Sequence, residues 1–151
     1  MQPIISVIIP AHNEEKYIGR CIRSVRKAAS EFGGGTEIIV VCNRCTDRTE
    51  DIAGSLGARV LKNEDRCIAK VRNTGIAAAK GKIIVTIDAD NRMTKGTLKE
   101  IYALLKSGRY IGGGAPMMRC KAVSTEADYG LNIEPDDIEI TDTVTVIWEI
   151  E

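Results

Sequence analysis

Three segments of the chain are almost continuously apolar and rich in β-branched side chains. They cover residues 4–10, 37–41 and 82–87. Strands with apolar residues on both faces need cover on both sides, which is typical of a parallel sheet. The pattern therefore predicts three buried strands at the centre of a mostly parallel sheet.

The segment after the first strand carries apolar residues at helical spacing. Four of them recur three and four residues apart and define one face, namely Ile18, Cys21, Ile22 and Val25. Asn13 is placed to cap this helix, and the glycines at 33–35 can end it. We therefore expect a helix from shortly after Asn13 to about residue 33.

The same alternation continues along the chain. Helices are expected over about 46–57 and 66–80, with a short strand at 58–61 between them. A stripe of Leu98, Ile101, Tyr102 and Leu105 predicts another helix that Gly108 can end, before a strand at 110–118. This order predicts a three-layer α/β/α fold, in which ligands bind beyond the carboxyl ends of the strands.

The pattern weakens after the predicted strand at 110–118. Residues 121–142 are polar and acidic, and residues 143–150 then alternate between apolar and polar positions. We expect this last strand to join an edge of the sheet, where it could pair with a second chain as a homodimer.

Composition limits the classes of partner that the protein could bind and indicates the cellular compartment in which it works. Lysine plus arginine equals aspartate plus glutamate at 21 each, so no overall charge attracts nucleic acid. The first apolar run is too short to span a bilayer and lacks the features of a signal peptide. Five cysteines, an odd number, fit reduced thiols better than disulfides. We expect a cytoplasmic protein, with peripheral association with a membrane left open.

Two carboxylates follow the third apolar strand, at Asp88 and Asp90. In an extended segment, residues two apart point the same way, and like charges so placed repel unless a cation lies beside them. A hard divalent ion such as Mg²⁺ or Mn²⁺ binds carboxylate and phosphate oxygens together. The alternative is that both residues form a turn and cap the next helix, and the residues alone leave this open.

Two other strand ends carry candidate ligand contacts. Pro10 and Glu14 belong to the turn after the first strand, which has no glycine-rich dinucleotide motif and no phosphate-loop lysine. A proline that ends the strand and a capped helix would explain these residues without any ligand. After the second strand, Asn43 offers both a hydrogen-bond donor and an acceptor. The adjacent Cys42-x-x-Cys45 spacing has no second cysteine pair, which disfavours a zinc or redox site.

The third helix contributes a cation and a glycine. Arg72 could reach a diphosphate, although a solvated helical arginine is the simpler interpretation of this residue taken alone. Gly75 would permit close packing of the helix.

Four segments together resemble the family 2 glycosyltransferases, which have the GT-A fold. They read S-V-I-I-P-A-H-N-E-E, I-I-V-V-C-N-R-C-T-D-R-T, R-N-T-G-I-A-A-A-K-G and I-V-T-I-D-A-D, in the family's order and spacing. The resemblance covers residues 4–116. It implies a nucleotide-sugar-binding domain at 1–120 and a short tail at 121–151 within the same domain, truncated after the D-x-D half.

The resemblance also implies roles for particular residues. Asp88 would contact the sugar nucleotide and help Asp90 to bind Mg²⁺ or Mn²⁺, with Ala89 lining the site through its backbone. Pro10, Ala11 and Glu14 would border the nucleoside. Arg72 would belong to the same nucleotide site. Asn43 stands where many family members carry an aspartate that contacts the base. This difference leaves both uracil and guanine open, so the donor is expected to be a UDP- or GDP-sugar.

The implied reaction is the transfer of a sugar to an unknown acceptor, with inversion at the anomeric carbon. Inversion needs a carboxylate base, and five acidic residues of the tail are available without a recognisable setting: Glu126, Asp128, Asp136, Asp137 and Glu149. The alternative is a non-catalytic or partner-dependent nucleotide-sugar-binding module that lacks the acceptor half. A nucleotidyltransferase is disfavoured because its glycine-rich phosphate loop is missing.

Overall fold

The chain forms an alternating α/β domain in a computed structural model that describes residues 2–107, 117–121 and 143–148. Its elements are β1 (Ile5–Ala11), α1 (Ile18–Phe32), β2 (Thr36–Asn43), α2 (Thr49–Ser55), β3 (Arg59–Asn63), α3 (Ile68–Ala78), β4 (Ile83–Thr86), α4 (Thr97–Lys106), β5 (Met117–Lys121) and β6 (Thr143–Trp148). The predicted alternation of strands and helices is confirmed. The predicted helix end at Gly108, most of the strand expected at 110–118, and residues 122–142 lie outside the described residues.

The six strands form one sheet in the order β3-β2-β1-β4-β6-β5. The first four strands are parallel to one another, whereas β6 is antiparallel to both of its neighbours, β4 and β5. The prediction that the last strand joins the sheet edge is therefore wrong. Because both sides of β6 are paired, it offers no free edge to a second chain, and the reason given for a homodimer is lost.

Helices cover the two faces of the sheet, which confirms the three-layer prediction. On one face, Ile8, Val41 and Ile84 pack with Val71 of α3. On the other face, Val7, Val40 and Val85 belong to a larger core that is completed by apolar residues of α1, α2 and α4. Successive strand residues thus point to opposite helical layers, as the pleat of a β-strand requires.

The start of α1 differs from the prediction. The helix begins at Ile18 and has no side-chain cap, while Asn13 lies four residues before its N-cap residue Tyr17, in a left-handed conformation with φ of 53°. The Asn13 Oδ1 instead accepts a hydrogen bond from the Thr46 N–H, 2.8 Å away. At the other end Gly33 adopts φ of 70° and donates its N–H to the Ala29 oxygen, which confirms the predicted glycine stop.

Gly75 allows α3 to lie close against the sheet. A Cβ placed at this position would lie 2.4 Å from Ile8 Cγ2 and 3.0 Å from Val41 Cγ2. Any larger side chain would push the helix away from β1 and β2. The prediction that this glycine permits close packing is confirmed, and this packing sets the height of α3 above the strand ends.

Among the helices of residues 2–107, none is both long enough and apolar enough to cross a membrane.

Candidate functional site

A cleft of about 280 Å³ opens at the carboxyl ends of β1, β2 and β4. Seven of its lining residues were predicted from the sequence, and they lie at or just after the ends of three strands: Pro10, Ala11, Glu14, Asn43, Asp88, Ala89 and Asp90. The strands deliver these residues together because β1 pairs with both β2 and β4 in parallel. The cleft thus lies where a parallel α/β sheet commonly binds its ligand.

Asp88 and Asp90 lie in a turn rather than in an extended strand. β4 ends at Thr86, the Ile87 N–H still bonds to the Ile8 oxygen at 3.0 Å, and the Asn91 N–H then bonds back to the Asp88 oxygen at 3.1 Å. The expectation that an extended backbone aligns the two carboxylates is therefore wrong. Both side chains are nevertheless exposed at the cleft, on either side of the buried Ala89.

Arg72 supplies a cation beside Asp88. Its Nη2 donates to Asp88 Oδ1 at 3.0 Å, and 39% of the arginine side chain and 52% of the aspartate side chain remain exposed. The Arg72 Nε is buried and has no hydrogen-bond partner among the described residues. The chain itself therefore neutralises part of the charge that the sequence argument assigned to a metal ion, and one arginine N–H remains unpaired.

Glu14 adds a third carboxyl group to this edge of the sheet. Its partial burial raises the pKa of the carboxyl, and the negative charges of Asp90, Asp47 and Asp88 raise it further, against a smaller lowering by His12. The cleft therefore concentrates negative charge, which would attract a cation.

The Asn43 side chain has a defined orientation. Its Nδ2 donates to the backbone oxygens of Asn63 at 3.0 Å and Asp65 at 2.7 Å, and lies 3.2 Å from Asn63 Oδ1. Backbone oxygens can only accept, so the amide nitrogen must face them. Asn43 therefore joins the end of β2 to the β3–α3 loop (residues 64–67), and no hydrogen bond of the described residues uses its Oδ1.

Three residues of the cleft were missed by the sequence argument, namely His12, Ile68 and Val71. His12 Nδ1 lies 2.6 Å from the Asn43 oxygen and must carry the hydrogen of that bond, because the oxygen is a carbonyl. Ile68 and Val71 share a helix face with Gly75 by their spacing, which was the available signal. Ile68 is 54% exposed, because it extends this face beyond the sheet into the cleft.

The two neighbouring cysteines are not joined by a disulfide. Cys42 is buried in the core, and its pKa is raised to about 12 by burial and by the adjacent Cys45, whose Sγ donates to the Ala11 oxygen at 3.4 Å. Among the described residues, no group of three or more His, Cys, Asp or Glu side chains could hold a metal ion. The pair is therefore best explained as two reduced thiols that pack the end of β2.

Comparison with known proteins gives one consistent result. Residues 6–140 match the family described as Glycosyl transferase family 2. The glycosyltransferase GlyG of Streptococcus pneumoniae is 30% identical over 108 residues, which cover 68% of this chain and 35% of GlyG.

Two solved structures are similar to the chain. One is Staphylococcus aureus TarS 1-349 in complex with UDP, with a TM-score of 0.61 and 28% identity over 77% of this chain and 38% of that one. The other is Mycobacterium tuberculosis glucosyl-3-phosphoglycerate synthase in complex with Mn²⁺, UDP and glucosyl-3-phosphoglycerate, with a TM-score of 0.58 and 30% identity over 71% and 41% of the two chains.

This chain spans well under half the length of each of these relatives. Both similar structures are GT-A-fold transferases, which confirms the predicted fold class. The match to the family extends over most of the chain and includes every loop that lines the cleft. The chain therefore belongs to glycosyl transferase family 2.

Proposed function

We propose that the cleft binds the nucleoside diphosphate of a UDP- or GDP-sugar and that the protein transfers the sugar to an acceptor. The observation that carries the proposal is that the carboxyl ends of β1, β2 and β4 meet at one cleft, where Asp88 pairs with Arg72. Bound UDP in two related structures supports the donor class. In the proposed reaction an acceptor hydroxyl forms a bond to the anomeric carbon, with inversion, as the bond to the nucleoside diphosphate breaks and the hydroxyl proton passes to a carboxylate base.

Each site residue predicted from the sequence has a part in this proposal, and Glu14 would border the nucleoside. Pro10, Ala11 and Asn43 would border the nucleoside, with the unused Asn43 Oδ1 able to accept a base N–H. Asp88 would contact the ribose or sugar, and the backbone of Ala89 would line the site. Arg72, whose side chain is 39% exposed beside Asp88, would offer its guanidinium group to the diphosphate, which an arginine can bind in a bidentate manner.

The carboxylates also fit a divalent cation. Asp90 and Asp88 provide hard oxygen ligands, but no third carboxylate completes a site among the described residues. This is the donor set expected for Mg²⁺ or Mn²⁺ that is held by one or two carboxylates together with substrate phosphates. Such an ion would neutralise charge on the departing nucleoside diphosphate. We infer that the cation binds tightly only when the nucleotide is present.

Isothermal titration of UDP and GDP, with and without Mn²⁺, tests the proposal. We expect one nucleotide to bind with Mn²⁺ and the Asp90→Ala variant to bind it at least about tenfold more weakly, a loss of about 1.4 kcal/mol. Asp51→Ala is a matched control, because Asp51 is an exposed acidic residue in the first turn of α2 outside the cleft. Binding that needs no metal and is unchanged in Asp90→Ala would contradict the proposal.

A measurement of donor turnover distinguishes the transferase from the binding module. Sugar release or transfer from a panel of UDP- and GDP-sugars in the presence of Mn²⁺ would support the transferase. Nucleotide binding without turnover of any donor would favour the alternative of a binding module that works only with a partner.

A further inference from the structure

Two loops beside the cleft are joined by hydrogen bonds that no sequence motif suggested. The β1–α1 loop (residues 12–17) presents two backbone N–H groups to the start of α2. The Glu14 N–H donates to Thr49 Oγ1 at 2.8 Å, and the Glu15 N–H donates to Asp47 Oδ2 at 3.0 Å. Thr49 is fully buried, so its hydroxyl has no water to replace these partners.

The β2–α2 loop (residues 44–48) in turn donates two backbone N–H groups to side chains of the β1–α1 loop. Its Thr46 N–H donates to Asn13 Oδ1 at 2.8 Å, and its Arg48 N–H donates to Glu15 Oε2 at 3.1 Å. Each loop therefore supplies both donors and acceptors to the other. We call this set of four hydrogen bonds the loop clasp.

Asp47 and Thr49 form the centre of the loop clasp. Asp47 Oδ1 accepts from the Thr49 N–H at 2.9 Å and from the Thr49 hydroxyl at 2.5 Å, which leaves the hydroxyl oxygen free to accept from Glu14. Slight burial of Asp47 acts against ionisation, but hydrogen bonds from Thr49 and Glu15 outweigh it and lower the pKa of the carboxyl. Asp47 is therefore a charged acceptor, which makes these bonds stronger than neutral ones.

Both clasped loops contain a backbone conformation that needs support. Asn13 has φ of 53° and Arg44 has φ of 48°, and neither is a glycine. Left-handed conformations are unfavourable for most residues and persist where surrounding contacts hold them. Asn13 precedes the cleft-lining Glu14 in its loop, and Arg44 follows the cleft-lining Asn43 at the end of β2. Loss of the loop clasp would therefore let both walls of the cleft relax.

We propose that Asp47 and Thr49 are positioning residues, which touch no ligand themselves but hold Glu14 and the β1–α1 loop in the geometry that binds the nucleotide. The identity of the ligand rests on the proposed function. The clasp itself rests on the contacts between the two loops.

Substitutions at Thr49 test the proposal with matched shapes. Thr49→Val keeps the volume of the side chain but removes the hydroxyl, whereas Thr49→Ser keeps the hydroxyl. In titrations of UDP and GDP with Mn²⁺, we expect Thr49→Val to weaken binding about tenfold and Thr49→Ser to restore it to near the wild-type value. Equal affinity of the two variants would overturn the proposal.

Asp47→Asn tests the hydrogen bond that Asp47 accepts from Glu15 separately from the bonds that it accepts from Thr49. The asparagine oxygen can still accept from Thr49, but its NH₂ group would face the Glu15 N–H and could not accept from it. We expect weaker nucleotide binding with little change in the melting temperature. A variant that binds as tightly as wild type would overturn the role of Asp47. Asp51→Asn, at an exposed position in the first turn of α2, should leave affinity unchanged.

Amide hydrogen exchange provides a readout that needs no nucleotide. In Thr49→Val the amides of Glu14 and Glu15 should exchange faster, while those in the middle of β1 keep wild-type rates. Unchanged exchange at both amides would overturn the loop clasp. If wild type bound neither UDP nor GDP, the proposed function would fail, and the clasp would still be decided by the exchange rates.

Discussion

At the scale of single residues, the contact between Arg72 and Asp88 neutralises one of the carboxylates that line the cleft. Their exposed fractions of 39% and 52% place the pair within reach of water. Ion pairs of this kind contribute about 0–1 kcal/mol to stability. The pair can therefore be exchanged for contacts with a ligand at little cost. The pair places a cation next to a carboxylate that lines the cleft.

At position 43, the contacts of one side-chain atom favour asparagine over aspartate. The Asn43 amide nitrogen faces three oxygens at 2.7, 3.0 and 3.2 Å, and the residue is only 8% exposed. An ionised carboxylate in this place would meet oxygens and no donors. The family resemblance includes an aspartate here in many members, and the local contacts explain why this chain uses the neutral amide.

We expect Asn43→Asp to lower the free energy of unfolding by about 2 kcal/mol or more at neutral pH, because it buries a charge without a donor. Asn43→Ala removes the same hydrogen bonds without adding a charge and should cost less. Urea unfolding at pH 5 and pH 7.5 measures the difference. The Asn43→Asp defect should shrink at the lower pH, where protonation restores a donor. A smaller loss in Asn43→Asp than in Asn43→Ala at pH 7.5 would show that the amide orientation is wrong.

At the scale of elements, the approach of α3 to the sheet sets the position of one wall of the cleft. The helix carries Ile68 and Val71 into the cleft lining and Arg72 to its ion pair with Asp88. Gly75 lets the helix lie against Ile8 and Val41. A helical glycine costs about 1 kcal/mol relative to alanine. The close contact therefore offsets an intrinsic weakness of the helix.

Gly75→Ala should destabilise the protein by about 1–3 kcal/mol, because the added methyl group meets Ile8 Cγ2 at 2.4 Å and overpacking outweighs the gain in helix propensity. Gly54→Ala is the matched control, since nothing lies within 4 Å of its new Cβ and Gly54 is an exposed helical residue. This control should stabilise the protein by about 0.5–1 kcal/mol. Chemical denaturation measures both, and a Gly75→Ala variant as stable as Gly54→Ala would refute the packing argument.

At the scale of the whole molecule, the cleft exists only in the folded chain. Its lining residues come from the ends of three strands, at residues 10–14, 43 and 88–90, and from α3. A ligand that binds these groups together binds the folded state and has no comparable site in the unfolded chain. Ligand binding and global stability are therefore linked.

The bound nucleoside diphosphate should raise the melting temperature of the protein. At a ligand concentration of one hundred times Kd, the gain in the free energy of unfolding is about 2.7 kcal/mol. Differential scanning calorimetry with UDP or GDP and Mn²⁺ measures the shift. Uridine and guanosine, which lack the diphosphate, are the controls. An equal shift with a nucleoside and its diphosphate would show that the Arg72 and Asp90 region takes no part in binding.

Local patterns in the sequence predicted the main elements of the fold and the polar residues that line the cleft. The family resemblance alone pointed to Ala11 and Ala89. Apolar runs predicted three parallel strands, the spacing from Ile18 to Val25 predicted α1, and polar residues after the strands predicted four lining residues, Glu14, Asn43, Asp88 and Asp90. These features depend on neighbouring residues, because burial on both faces and helical periodicity are properties of short segments. The predicted roles of the lining residues in binding remain predictions that the titrations above test.

The sequence by itself thus determined which segments become strands and helices and which strand ends carry polar groups. Only the tertiary structure decided that β6 lies between β4 and β5, that Arg72 pairs with Asp88, and that Asn13 bonds to Thr46 instead of capping α1. Each of these contacts joins residues far apart in the chain. Such contacts depend on the order of the strands and on the packing of helices over them, and no local periodicity encodes either.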